Sequence, residues 1–112
     1  MNYEKLVNKG VVIVRVHEER LTSHEAPEMK VKLLELLIGE GEVILINLKD
    51  VKYMDSTGIG AFLFGVRQAE QHNKEICFCD LQPKVQFLIH IAHLEQVMDI
   101  YETEEEALKE LQ

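Results

Sequence analysis

Asp55-Ser56-Thr57-Gly58-Ile59-Gly60 follows the apolar run Val43-Ile44-Leu45-Ile46-Asn47-Leu48 by a few residues. An apolar run of that length reads as a strand buried on both faces, running out at Tyr53-Met54. The small polar trio after it then opens a helix, because Ile59, Phe62, Leu63, Val66 and Ala69 recur at helical spacing. The Ser56 hydroxyl is thereby expected at or just before a helix N-terminus. Backbone N–H groups are unpaired there and the helix dipole is positive. A phosphate on that serine would not unfold the domain. The expected chemistry is reversible charging of one exposed serine, not catalysis by this chain.

The same strand-then-helix pattern extends in both directions. Upstream, Val11 to Val16 is β-branched, and Lys9-Gly10 turns it back on a strand near Tyr3–Val7, which predicts an antiparallel hairpin. Thr22 with Glu25, or Ser23 alone, caps a helix whose apolar stripe is Ala26, Met29, Leu33, Leu36 and Leu37, with Pro27 in its first turn. Gly39 and Gly41 stop it. Downstream, Asn73-Lys74 ends the second helix, and Glu75 to Cys79 forms the next strand. Pro83 opens a third helix bearing Val85, Leu88, Ile89 and Ala92. Val97 to Tyr101 is a last strand, and Thr103 with Glu106 makes a capping box for a helix carrying Ala107, Leu108 and Leu111. The order ββαβαβαβα predicts an α/β fold in one domain, residues 1–112. Its sheet is mixed but mostly parallel, with an N-terminal β-hairpin and about four helices.

Composition narrows the function. Acids outnumber bases 20 to 12 for a net charge of −8, so nucleic acid and anionic membrane surfaces are repelled. The N-terminal Met1 to Leu6 lacks the apolar core of a signal peptide, and no run is long enough to span a bilayer, which predicts a cytoplasmic protein. Cys77 and Cys79 alternate on one strand face and read as buried structural thiols, with no second ligand pair for a metal.

Two motifs are excluded by their residues. A hydrolase elbow needs glycine on both sides of the serine in G-x-S-x-G, and Met54 stands at the first of those positions. Gly58 and Gly60 lack the third glycine of a dinucleotide loop. These two glycines are expected instead to leave the backbone and the Ser56 hydroxyl open to a partner, at a helix-propensity cost of roughly 1 kcal/mol each. With Ile59, Phe62 and Val66 inward, Gly60 and Phe64 fall on the outer side, and Phe64 is expected to anchor an interface.

The stretch Asn47-Leu48-Lys49-Asp50-Val51-Lys52-Tyr53-Met54-Asp55-Ser56-Thr57-Gly58-Ile59-Gly60 resembles the signature of bacterial anti-sigma factor antagonists, small single-domain proteins of the STAS family. The likeness continues in pattern across the rest of the chain. It implies partner switching: binding of a cognate anti-sigma factor, often a serine kinase of the histidine-kinase-like ATPase fold, frees a sigma factor. It further implies that the kinase phosphorylates Ser56 to end the complex and that a PP2C-type phosphatase restores it. The ATP belongs to the kinase, so no cofactor is expected here. Partner contacts are expected at Asp55, Ser56, Thr57, Gly58, Gly60, Phe64, Thr22 and Ser23. Thr22 stands where many members carry an acid. The alternative reading is a STAS module regulating a transporter or a stress-sensing scaffold, without serine phosphorylation.

Overall fold

A computed structural model describes residues 1–112. In chain order, β1 (Tyr3–Asn8) and β2 (Val11–Val16) form the antiparallel hairpin. Lys9 and Gly10 both take positive φ at its turn, 50° and 85°, the geometry of the tight hairpin turns whose twist matches the flanking strands. A two-residue β3 (Arg20–Leu21) precedes α1 (Ala26–Ile38), whose buried side chains are the five read from the sequence. β4 (Val43–Asn47) leads through a loop to another two-residue strand, β5 (Tyr53–Met54), and directly into α2 (Ser56–Gln71). Then follow β6 (Glu75–Cys79), α3 (Pro83–Ile91), β7 (Asp99–Tyr101) and α4 (Glu104–Leu111).

The main sheet has the order β1-β2-β4-β6-β7, parallel throughout except for the opening hairpin. Each parallel connection steps one strand in the same direction, so right-handed crossovers place α1, α2 and α3 on one face. There they cover Val12, Val14, Val16, Ile44, Ile46, Ile76 and Phe78 in the larger core. Phe62 of α2 meets Phe78 edge-on with ring centroids 5.1 Å apart. The alternate side chains Val11, Ile13, Leu45, Cys77 and Cys79 point to the other face, where Ala107 of α4 closes a second, smaller core. Burial in that core pushes the Cys77 thiol up to about 12 and that of Cys79 higher still, so neither is a thiolate at neutral pH.

Three expectations need correction. The central strand ends at Asn47 rather than at Tyr53-Met54; the latter pair forms its own two-stranded sheet with Arg20-Leu21, parallel to it. The N-cap of α1 is Glu25, with no side-chain cap bond, and Thr22 starts the turn before it. Ala92 is exposed because α3 ends at Ile91, leaving it in the turn beyond the helix.

Candidate functional site

The site is built where α2 begins. Asp55 is its N-cap, in extended backbone, and one carboxylate oxygen accepts from the N–H groups of Thr57 at 3.0 Å and Gly58 at 3.1 Å. The Thr57 hydroxyl donates to the same oxygen at 2.5 Å. These bonds, the Thr57 hydroxyl foremost, with the Ser23 N–H contributing, hold the Asp55 carboxyl below its ordinary range against some desolvation. Ser56 is the first helical residue. Its side chain is exposed and its hydroxyl takes no part in this bonding. A phosphate there would find few of the helix's N–H groups vacant: Asp55 already holds two and the N–H of Ile59 bonds the Asp55 carbonyl, which leaves the N–H of Ser56 itself. Water, the helix dipole and that one N–H would have to accommodate the charge.

A second segment is fastened beside Ser56. β3 pairs with β5 in the register Arg20–Tyr53 and Leu21–Met54, and the Asp55 N–H reaches the Leu21 carbonyl at 3.4 Å. The Arg20 guanidinium lies over the Tyr53 ring, 4.9 Å from its centroid. Thr22, Ser23 and His24 thus border the start of α2. Ser23 and His24 are exposed, whereas Thr22 is half-buried and gives both its N–H and its hydroxyl to the Glu25 carboxylate, at 2.8 and 2.9 Å. That pairing holds the Glu25 carboxyl below its usual range.

Two of the expected contact residues lie elsewhere than anticipated. Gly58 faces inward: a Cβ there would collide with the Leu21 carbonyl oxygen and stand 2.7 Å from Met54 Cγ. It is therefore a packing glycine that lets α2 sit against Leu21, not an opening for a partner. Phe64 is half-buried on the shoulder facing α1, with the Lys30 ammonium 5.6 Å from its ring centroid. Gly60 is open as expected, with nothing within 4 Å of the point a Cβ would occupy.

The loop leading to the site is held by Asn47, the first residue of that signature stretch, together with Arg15, Asp80 and Glu104 from far along the chain. Asn47, 8% exposed, accepts from the Lys49 N–H at 2.9 Å and donates to Glu104 at 2.9 Å and Asp80 at 3.2 Å. Glu104 also takes a two-pronged contact from Arg15, at 3.0 and 2.8 Å, while Asp80 accepts from the Glu104 N–H. The Arg15 contact is the main reason the Glu104 carboxyl is held below its usual range. The one sequence cue is Asn47 interrupting an apolar run.

Nearby, His17 bridges Asp50 at 2.7 Å and Glu4 at 2.8 Å, and these two carboxylates raise its pKa above 6.5. A raised folded-state value means the contribution to stability is complete below 6.5 and fades as pH rises through the folded pKa. The melting temperature of the protein, minus that of His17→Gln, is expected to shrink between about pH 6 and about pH 8. A difference that stays constant or grows over that interval contradicts the bridge.

The chain matches the STAS domain model over residues 2–107. A Paenibacillus polymyxa protein described as an anti-sigma F factor antagonist is 33% identical over 94% of this chain and 90% of its own length. An anti-sigma-B factor antagonist of Listeria monocytogenes is 31% identical over 77% of this chain and 75% of its own. The solved structure of the anti-sigma factor antagonist SpoIIAA in its unphosphorylated form shares the fold, with a TM-score of 0.78 at 22% identity over 98% of this chain and 96% of that one. The sheet order, the helix that starts at Ser56 and these likenesses agree that the chain belongs to the STAS domain family, alongside relatives described as anti-sigma factor antagonists.

Proposed function

We propose that this protein is an anti-sigma factor antagonist: it binds an anti-sigma factor that is also a serine kinase, releases a sigma factor, and is switched off by phosphorylation of Ser56. A PP2C-type phosphatase reverses the switch. The observation that carries this reading is the exposed, unbonded Ser56 hydroxyl at the first residue of α2, beside a second segment fastened there by β3 and β5. The names of relatives matched over most of their length point the same way. The site of action in this reading is the cytoplasm, where a sigma factor works; no helix is long and apolar enough to cross a membrane. The net charge of −8 disfavours direct contact with nucleic acid.

The physical logic is a charge placed in a docking surface. A phosphate adds about −1.5 to −2 charge next to the Asp55 carboxylate. In water the repulsion between unit charges about 5 Å apart is only about 1 kcal/mol, so the domain keeps its fold. Buried against a partner without a matching cation, the same group costs several kcal/mol, roughly a hundredfold or more in affinity. Incubation with the cognate kinase and Mg-ATP should add one phosphate, on Ser56. Equal labelling of Ser56→Ala overturns that assignment.

Ser56, Gly60 and Phe64 follow one another at four-residue steps along α2, with Phe64 on the shoulder toward α1 and part of its ring still accessible. Phe64→Ala should weaken partner binding by more than about 1 kcal/mol in a calorimetric titration, since the ring would lose an apolar contact at the interface. Unchanged affinity would assign Phe64 to the α1–α2 contact alone.

A further inference from the structure

Two hydroxyls stand side by side at the start of α2, on Ser56 and Thr57, and both residues are exposed. Exposure therefore does not decide between them. Their bonding does: Thr57 gives its hydroxyl proton to Asp55 at 2.5 Å and its N–H to the same oxygen at 3.0 Å, whereas the Ser56 hydroxyl is free to turn.

We propose that Asp55 is a specificity-determining residue: by holding the Thr57 side chain, it leaves Ser56 as the one hydroxyl of the pair that accepts a phosphoryl group. The inference rests on Ser56 being the modified residue. In the transfer, the serine Oγ forms a bond to the γ-phosphorus of ATP, the bond from that phosphorus to the ADP oxygen breaks, and the hydroxyl proton passes to a base of the kinase. The attacking oxygen must turn a lone pair to phosphorus and its proton to that base. Ser56 is free to do both. Thr57 has its proton committed inside the chain, its hydroxyl held by the same Asp55 oxygen that takes its backbone N–H.

Asp55 does not activate Thr57 in the manner of a general base. The carboxylate oxygen that accepts the Thr57 proton also accepts the Thr57 and Gly58 N–H groups, so three donors converge on it. An oxygen so saturated, on a carboxyl already held below its ordinary range, is a poor proton acceptor. The contact restrains.

The test is Asp55→Gly, since glycine keeps most of the N-cap preference while removing the carboxylate. After reaction with the anti-sigma kinase and ATP, the ratio of phosphothreonine at 57 to phosphoserine at 56, read by fragment mass spectrometry, should rise at least about tenfold over the unaltered protein. In a Ser56→Ala background, Thr57 should stay unlabelled with Asp55 present and become labelled with Asp55→Gly. An unchanged ratio overturns the proposal. So does loss of all labelling in a folded Asp55→Gly protein, which would show that the kinase itself reads the carboxylate. A measurement without the kinase separates this from failure of the Ser56 reading: the Thr57 side chain should show the single-rotamer pattern of three-bond NMR couplings, a pattern that disappears in Asp55→Gly. Its absence from the unaltered protein overturns the inference whatever the kinase does, whereas its presence with no phosphate on Ser56 counts against the Ser56 reading alone.

Discussion

Ser56→Asp is expected to lower affinity for the anti-sigma partner by about tenfold to a hundredfold, with the melting temperature shifted by no more than about 2 °C. The two halves of that result come from different surroundings of one side chain. In the free protein the new carboxylate projects into water from the first residue of α2, where it repels Asp55 weakly and meets the favourable end of the helix dipole. In the complex it must lose water beside a carboxylate whose oxygen is already engaged with Thr57 and Gly58. Aspartate carries less charge than a phosphate, so full phosphorylation should weaken binding further. Calorimetric affinity and thermal melting of the same preparation check both halves. A large drop in melting temperature would make Ser56 a structural residue, and unchanged affinity would take it out of the interface.

Gly58→Ala is expected to act in the opposite sense, on the fold before the partner. The added methyl would overlap the Leu21 carbonyl oxygen and press on Met54, and the backbone oxygen has no rotamer by which to move aside. Overpacking of this kind costs about 3 kcal/mol, which for a domain of this size lowers the melting temperature by about 10 °C. Gly60→Ala two residues on meets open space and should change the melting temperature little, or raise it slightly through helix propensity. If both variants melt alike, the close approach of α2 to Leu21 is wrong.

The contrast between these glycines shows where sequence reading succeeds and where it stops. Long periodic segments are legible: the stripe of α1 can be named residue by residue, because Ala26, Met29, Leu33, Leu36 and Leu37 can only share one side of a helix. The hairpin is legible from Lys9-Gly10 between β-rich runs. Gly58 reads as outward from its place in the motif, although it lies four residues before the buried Phe62 and so on the same side of α2. Helical spacing carries the right answer there, and the motif masks it.

Other features have no local cue. β3 and β5 are two residues each, too short to show a period, and they exist because Arg20-Leu21 and Tyr53-Met54 meet in space. The Arg15–Glu104 contact joins residues 89 apart in sequence. Nothing in either neighbourhood announces the other.

Asn47 has a consequence for how the two ends of the chain depend on each other. Its amide oxygen steadies the turn toward the serine, and its amide nitrogen grips the first residue of the last helix. Cutting the chain after Tyr101 would strip Asn47 and Arg15 of the Glu104 carboxylate and unroof Cys77 and Cys79. The final helix is thus a clasp whose release slackens the very turn that presents the serine, however distant the two are along the polypeptide.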